Sequence, residues 1–131
     1  MDTNERRKLL APIPNPDTDH EIMVQLERLV TFPENQKSIN VRIMYVPDRL
    51  VLPSENLESY FSVISNADYN SLESLAVRIL DDINNEIVPC WVQVDISTLG
   101  KDGSEEVNTL ITAIDRQPDW DNPNLLSRIN K

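Results

Sequence analysis

The chain has 131 residues and a formal net charge of −10, with 40% hydrophobic and 26% charged residues. These values are typical of one globular domain, and the excess of carboxylates opposes sequence-independent binding of nucleic acid, which depends on Lys and Arg. No apolar run approaches the roughly 18–20 residues of a membrane span, and the single cysteine, Cys90, cannot form an internal disulfide. We therefore expect a cytoplasmic protein with neither nucleic-acid nor membrane partners.

The first 18 residues are expected to form an arm outside the folded domain. Pro12, Pro14 and Pro16 stand among polar side chains, and only three apolar residues follow the basic residues 6–8. This composition lacks the apolar region of a signal peptide and predicts a segment, residues 1–18, that is extended or disordered. A single domain is expected over residues 19–131.

Two strands that form an antiparallel hairpin are predicted next. Apolar and polar residues alternate from His20 to Thr31, which is the period of a strand with one buried face. The phase slips over residues 28–30, and a β-bulge would explain the slip. After the polar loop 33–38 the alternation resumes from Ile39 to Tyr45.

A first helix is predicted beyond the turn at Pro47 and Asp48, where proline fixes φ and cannot donate to a ladder. Ser54 is its expected N-cap, and the helix should end near Asn66. Its apolar stripe consists of Leu57, Tyr60, Phe61 and Ile64.

The second helix, between Leu72 and Ile87, has the clearest pattern in the chain. Its apolar residues recur at three- and four-residue steps, and its polar residues, Asp81 and Asp82 among them, are expected to face away. Asn70 and Glu73 are spaced as a capping box, so we expect them to begin this helix.

Two further strands complete the pattern. Apolar and polar residues alternate over residues 91–96, which predicts a strand. Asp102-Gly103 is a strong turn signal, and the segment from Val107 to Ile114 is predicted to form the strand that follows this turn. The order strand, strand, helix, helix, strand, strand predicts an α+β fold in which a four-stranded antiparallel sheet carries both helices on one face. The tail after residue 115, which contains two prolines, is expected to be irregular.

The sequence lacks the common catalytic and cofactor motifs. Gly100 and Gly103, its only glycines, fall in one hairpin turn, so it has neither a phosphate-binding loop nor a dinucleotide fingerprint. His20 and Cys90 are too few to ligate zinc, and we expect no metal. Cys90 is interpreted as a small buried hydrophobe rather than a nucleophile, since no nearby base would form its thiolate.

The stretch from Tyr45 to Ile83, with its flanking strands, resembles the NADPH-dependent 7-cyano-7-deazaguanine (nitrile) reductases of the queuosine pathway. The matching segments are IMYVPD at residues 43–48, the helix 57–66 with its Tyr60, and ESLAVRILDDI at residues 73–83. VPCWVQVDI, at residues 88–96, then occupies the place of the strand that follows. This family belongs to the tunnelling-fold superfamily, so the resemblance implies a ββααββ subunit and a homo-oligomer.

The resemblance also implies that the family's reduction chemistry is missing. It places Phe32, ahead of Pro33, where the family has its nucleophilic cysteine, and a phenyl ring cannot attack a nitrile. It places Glu55 and Glu58 where the family has lysines associated with NADPH binding, and carboxylates would repel phosphates. No catalytic residue and no cofactor are therefore expected.

Glu73 is the one functional position that the resemblance preserves. It aligns with a glutamate whose carboxylate, in tunnelling-fold enzymes, accepts paired N–H bonds from a purine or pterin. The residues alone leave open that Glu73 only closes the capping box with Asn70.

Three functional hypotheses follow. The first is a nitrile-reductase-like, homo-oligomeric scaffold or binder of a purine- or pterin-like ligand that lacks the family's chemistry. The second is an enzyme of queuosine or other deazapurine or pterin metabolism that uses carboxylates such as Glu73, Asp68 or Asp119. The third is an acidic regulatory protein that meets a basic partner.

Overall fold

The computed structural model describes residues 2–34, 37–66, 69–98 and 108–128, in which strands flank a central pair of helices. The elements in chain order are α1 (Thr3–Lys8), β1 (Ile13–Pro14), β2 (Val24–Thr31), β3 (Ser38–Val46), β4 (Leu50–Val51), a 3-10 turn (Ser54–Asn56), α2 (Leu57–Asn66), α3 (Leu72–Ile87), β5 (Trp91–Thr98), β6 (Leu110–Arg116) and α4 (Pro123–Leu126). None of the helices in these ranges has the length and apolar character needed to cross a membrane.

Four strands form one antiparallel sheet in the order β2-β3-β5-β6, and α2 and α3 pack on one face of it. This arrangement confirms the predicted α+β fold with a ββααββ core. β1 and β4 form a separate two-stranded ladder. The predicted Asp102-Gly103 turn and the start of the last strand at Val107 lie outside the described residues, and β6 is seen from Leu110.

The core lies between the helices and one face of the sheet, which we call the helix face. Alternate residues of β3 and β5 enter it, as the period of two predicts. Burial of this apolar surface supplies the main stabilising free energy of the fold. The fully or almost fully buried side chains include Ile39, Val41, Ile43, Tyr45, Tyr60, Ile64, Leu75, Ile79, Ile83, Val92, Val94 and Ile96.

The expected β-bulge in β2 is wrong. β2 pairs with β3 residue for residue, from Val24 opposite Tyr45 to Thr31 opposite Ser38. The apparent slip arises because Arg28 occupies a position on the helix face, where it forms an ion pair with Glu58 of α2. An edge position lets a long cation reach solvent while its stem stays on the buried face.

The N-terminal arm is also different from the expectation, because residues 3–8 form the helix α1 rather than extended chain. Asp2 caps this helix, accepting a hydrogen bond from the Glu5 N–H at 2.8 Å. Leu10 behind it is fully buried in the core. The proline-based prediction failed because Leu10 and the arginines of α1 hold the arm against the domain. Both arginines contact the buried carboxylate of Asp82 in α3.

The described tail covers one end of the face of the sheet opposite the helices, which we call the open face. There Met44, Val46 and Trp91 are buried. The tail after residue 115, expected to be irregular, continues β6 to Arg116 and then forms α4. The partly buried side chains that cover this end are Met23, Cys90, Trp120, Leu125 and Leu126.

Ser54 does not cap α2, which corrects another expectation. The chain enters α2 through the 3-10 turn, whose cap position is Pro53, and no side-chain hydrogen bond is made there. Proline suits this place because its φ is fixed near the helical value.

Val88, at the C-terminal end of α3, offers a test of backbone strain. Its φ is 43°, in the left-handed region, and its N–H donates to the Asn84 carbonyl at 3.0 Å. A β-branched residue is unfavourable there, and the side chain is 60% exposed. We expect Val88→Gly to raise the free energy of unfolding by about 0.5–1 kcal/mol in urea titrations. The control, Val77→Gly inside α3, should lower it by about 0.5 kcal/mol.

Candidate functional site

The loop after β2 and the loop before α3 meet at one end of the molecule. Phe32 follows β2 and Tyr69 precedes α3, and their ring centroids are 5.1 Å apart with a tilt of 45° between the planes. Phe32 is only 5% exposed, whereas Tyr69 is half-buried at the edge of the core. The position that the resemblance assigns to the family's nucleophile is therefore occupied by a buried phenyl ring, which packs against Tyr69 just before α3.

The capping of α3 is done by two serines. Ser71 has extended backbone angles and accepts from the Ser74 N–H at 3.1 Å, while the Ser71 N–H donates to the Ser74 Oγ at 3.1 Å. The expected box of Asn70 and Glu73 is therefore wrong by one residue. The helix begins at Leu72, so Glu73 is its second residue and cannot close a box that requires the third.

Glu73 consequently has no capping role. Its side chain is exposed, and within the described residues its carboxylate makes no hydrogen bond or ion pair. It lies in the first turn of α3, where the helix macrodipole favours a negative charge. The ligand-anchor interpretation of Glu73 stays a prediction, while the capping interpretation is excluded.

Stability measurements separate these roles of Ser71 and Glu73. Ser71→Ala should lower the free energy of unfolding by about 0.5–2 kcal/mol because it removes an N-cap acceptor. Glu73→Gln should change it by no more than about 0.5 kcal/mol, since the side chain is exposed and has no hydrogen bond or ion pair with the described residues. Urea unfolding followed by circular dichroism checks both values. A Glu73→Gln loss as large as that of Ser71→Ala would return Glu73 to a structural role.

Tyr69, four residues before Glu73 in the sequence, carries groups that suit a planar, polar ring. Burial raises the pKa of Tyr69, and the negative charge of Glu34 raises it further, so the phenol stays protonated at neutral pH. Its ring can offer an aromatic surface and its O–H a hydrogen-bond donor. A carboxylate four residues further on adds an acceptor for N–H groups.

Glu73 and Asp119, the two described carboxylates of the second hypothesis, do not converge within one chain. Gln117 donates to the Val88 carbonyl at 3.2 Å, which places the nearby Asp119 at the C-terminal end of α3. Glu73 lies at the other end of this helix of 16 residues, about 20 Å away at 1.5 Å per residue. Asp68, the third candidate, lies outside the described residues.

The segment that the resemblance compares with the family's NADPH motif carries negative charge and serves internal contacts. Glu55 and Glu58 are exposed, and Glu58 is paired with Arg28. The Asn56 side chain donates to the Ala11 carbonyl at 3.2 Å, which ties the N-terminal arm to this turn. The segment thus holds two parts of the chain together instead of presenting cations.

Cys90 and His20 have ordinary surroundings. Burial raises the pKa of the Cys90 thiol, and the negative charges of Asp48 and Glu21 raise it further, which disfavours a thiolate. Cys90 is half-buried, and His20 is exposed beside Asp17 at 2.9 Å. In the part of the chain that the structure describes, no cluster of three or more His, Cys, Asp or Glu side chains could hold a metal ion.

Sequence reasoning missed the buried carboxylate of Asp82, which was expected to face away. The side chain is fully buried and accepts from Arg6 Nε at 2.6 Å and Nη2 at 2.8 Å, from Arg7 Nε at 2.9 Å and from the Tyr60 hydroxyl at 2.6 Å. Burial alone would raise the pKa of Asp82, but these donors outweigh it and lower the pKa. The cluster joins α1 and α2 to α3.

The signal for Asp82 was present in the helical spacing. Asp82 follows Leu75 by seven residues and Ile79 by three, so it continues the buried stripe of α3. A carboxylate within such a stripe requires a cationic or hydrogen-bonding partner.

Comparison with known proteins supports the fold. No protein-family model matches the chain, and no curated protein matches it. Among solved structures, the crystal structure of the archaeosine synthase QueF-Like in the apo form is similar, with 17% identity and a TM-score of 0.50. The match covers 76% of this chain and 95% of that chain. At this identity the likeness shows a shared tunnelling-like fold and carries no residue roles.

Proposed function

We propose that this protein is a homo-oligomeric tunnelling-fold protein that binds a planar purine- or pterin-like ligand through Glu73 and performs no reduction. The observation that supports the proposal best is the state of Glu73. Its carboxylate is exposed at the start of α3, while Ser71 and Ser74 satisfy the helix end. The ligand class comes from the resemblance set out above.

The chemistry of recognition would be a pair of hydrogen bonds. An ionised carboxylate only accepts, and its two oxygens match the adjacent amino and ring N–H groups of a guanine- or pterin-type ring. Hydrogen bonds to a charged group contribute about 1.5–3 kcal/mol each. Tyr69, with Phe32 behind it, would offer the aromatic surface against the face of the ring.

The proposed absence of reduction chemistry rests on Phe32, Glu55 and Glu58. Phe32 is a buried hydrocarbon and supplies no nucleophile. The acidic Glu55 and Glu58 are unsuited to hold a phosphorylated cofactor.

The oligomer is supported by the edges of the sheet. Among the residues that the structure describes, β2 and β6 each have one neighbouring strand, so a row of backbone groups on the other side of each strand is unpaired by these residues. Leu29 on β2 and Leu110 and Ile114 on β6 are more than half exposed. A second copy would cover these groups and could complete a pocket around Glu73. The proposed compartment is the cytoplasm, which suits a chain with a free cysteine.

Isothermal titration calorimetry with guanine, a 7-deazaguanine and a pterin tests the ligand proposal. We expect one of the three to bind, and we expect Glu73→Ala to weaken that binding at least tenfold, since two charge-assisted hydrogen bonds are lost. The matched control is Asp81→Ala, which removes an exposed carboxylate from the middle of the same helix. No heat with any of the three, or equal affinity in the Glu73 variant, would contradict the proposal.

A further inference from the structure

We propose that a recess on the open face of the sheet binds a small zwitterion, a free α-amino acid, whose carboxylate contacts Arg42 and whose ammonium group contacts Glu27. The recess has a volume of about 370 Å³, at the lower end of the range for ligand pockets, so its ligand must be small. It lies across the sheet from α3, so this site is separate from the one proposed at Glu73.

The register of the sheet places four polar side chains in one row across the open face. Glu27 of β2 is paired with Arg42 of β3. Arg42 is paired in turn with Asp95 of β5, and Asp95 with Thr112 of β6. The residues before and after Arg42 and Asp95 are buried in the core, so this row projects from the other face of the sheet. Opposed Cβ atoms on one face are about 4.5–5.5 Å apart, so one small ligand can contact several side chains of the row.

Asp95 holds the guanidinium of Arg42 in place. Its side chain is almost fully buried, although it lies on the open face. Oδ1 of Asp95 accepts from Thr112 Oγ1 at 2.8 Å and from Gln93 Nε2 at 2.9 Å. Oδ2 accepts from Arg42 Nη2 at 2.8 Å. A buried carboxylate with three donors is a fixed group, so Asp95 orients Arg42.

Arg42 retains hydrogen-bond donors for a ligand. Its side chain is partly exposed and lines the recess. A guanidinium has five N–H groups, and in the part of the chain that the structure describes its acceptor is Asp95, through Nη2. Two parallel N–H groups of a guanidinium match the two oxygens of a carboxylate. Arg42 can therefore bind a ligand carboxylate while it keeps its bond to Asp95.

Glu27 and Arg42 have opposite charges and are paired in the register, yet they do not bond to each other. Within the described residues no hydrogen bond or ion pair joins them. Glu27 Oε1 accepts instead from the Asn40 amide at 2.6 Å, and the side chain is exposed. Both charged groups line the recess. The recess therefore has a cationic and an anionic group that do not neutralise each other directly.

The charges around the recess favour a zwitterion over a simple ion. Arg42, Glu27 and Asp95 give the lining a net charge of −1, on a chain whose net charge is −10. A free anion is repelled by both carboxylates and a simple amine by the guanidinium, whereas a zwitterion has no net charge and meets an opposite charge at each end. The two charged groups of an α-amino acid are attached to one carbon, which keeps them close enough to contact two neighbouring strands, about 4.8 Å apart.

The rest of the lining indicates what side chain the amino acid carries. It consists mainly of hydroxyl and amide groups, together with the exposed Leu110, and the described lining holds no aromatic ring. These groups can exchange hydrogen bonds with a short polar side chain. The residues concerned are Asn40, Ser97, Thr98, Asn108 and Thr109.

NMR titration of the isotopically labelled protein with L-serine, L-threonine and L-asparagine tests the site. This method measures the weak affinity that an open recess implies. We expect at least one of the three to bind and to shift the amide signals of Arg42 and Asp95. For the amino acid that binds, the analogue without the ammonium group and the analogue without the carboxylate should each bind at least about tenfold more weakly, because each loses a charge-assisted contact. For serine these analogues are 3-hydroxypropionate and ethanolamine.

Glu27→Gln separates recognition of charge from a structural effect. The amide oxygen can still accept from Asn40, and only the charge is lost. We expect this variant to bind the amino acid at least about tenfold more weakly, and the carboxylate analogue no more weakly than the wild type, since a repelling charge is gone. The control Glu55→Gln makes the same change at an exposed position before α2 and should leave both affinities unchanged.

Arg42→Lys tests the other end of the ligand. Lysine keeps a positive charge beside Asp95 but lacks the planar pair of donors that matches a carboxylate. The variant should weaken the binding of both the amino acid and its carboxylate analogue. Circular dichroism verifies that each variant is folded.

No binding by any of the three amino acids would overturn the proposal. An analogue that binds as tightly as the amino acid, or a Glu27→Gln variant with wild-type affinity, would overturn it as well. None of these outcomes bears on the purine- or pterin-like ligand of Glu73, which calorimetry tests separately. The two proposals can therefore fail independently.

Discussion

Asp82→Ala is expected to lower the free energy of unfolding by about 3–5 kcal/mol, because it breaks a buried ion pair from one side. The carboxylate is fully buried and accepts from both arginines of α1 and from Tyr60 of α2. Its removal leaves the Arg6 guanidinium, whose side chain is only 11% exposed, without its acceptor. Urea unfolding followed by tryptophan fluorescence measures the loss.

The neighbouring Asp81 provides the control for this experiment. Asp81 is exposed on the same helix, so Asp81→Ala should change the free energy of unfolding by no more than about 0.5 kcal/mol. Both variants remove one negative charge. The difference between their unfolding free energies therefore measures the effect of burial and of the hydrogen bonds and ion pairs that Asp82 makes. Similar small losses in both would show that α1 is not held to α3 by Asp82.

The pH dependence of stability provides a second measurement on Asp82. Its pKa in the folded protein is lowered relative to the unfolded chain, where it is about 3.9. The unfolded chain therefore binds the proton more tightly, and the stabilisation is complete above the unfolded pKa and lost as the pH falls through the folded pKa. Asp82→Asn should flatten the fall of stability below about pH 4. An unchanged slope would assign the acid sensitivity to other carboxylates.

The elements that the sequence predicted correctly are those with local periodicity. α3 follows from its apolar residues at three- and four-residue steps, and β3 and β5 from alternation. Contacts that depend on distant partners were not predictable in this way. Arg6 and Asp82 are 76 residues apart in sequence, so neither the ordered α1 nor the partners of Asp82 could be predicted from a local pattern. The helical spacing placed Asp82 on the buried stripe but did not show what would pair with it.

The start of α3 shows that a local pattern can also leave two alternatives open. Asn70 with Glu73 and Ser71 with Ser74 are overlapping pairs at capping-box spacing, one residue apart, and spacing alone does not choose between them. The structure selects the serines because α3 begins at Leu72. The location of Glu73 at the start of α3 was therefore predictable, and its freedom from a capping role was not.

Phe32→Ala is expected to lower the free energy of unfolding by about 3–5 kcal/mol, the usual cost of emptying a buried aromatic site. The ring is 5% exposed, belongs to the main core and contacts Tyr69. Tyr69→Ala should lower the free energy of unfolding by a smaller amount, since Tyr69 is only partly buried at the edge of that core. Thermal and urea unfolding of both variants measure these losses.

A double-mutant cycle on Phe32 and Tyr69 measures the coupling free energy between the two rings, and so how much Phe32 stabilises the position of Tyr69 before α3. An aromatic pair in contact should give a coupling of about 0.5–1.5 kcal/mol beyond the area that each ring buries. If the coupling has this size, Phe32 stabilises the position of Tyr69 before α3, and its ring has a packing role at the position that the resemblance assigns to a cysteine. A Phe32→Ala variant that is as stable as the wild type would mean instead that the position tolerates a small residue. Packing would then not explain why this position carries an aromatic residue.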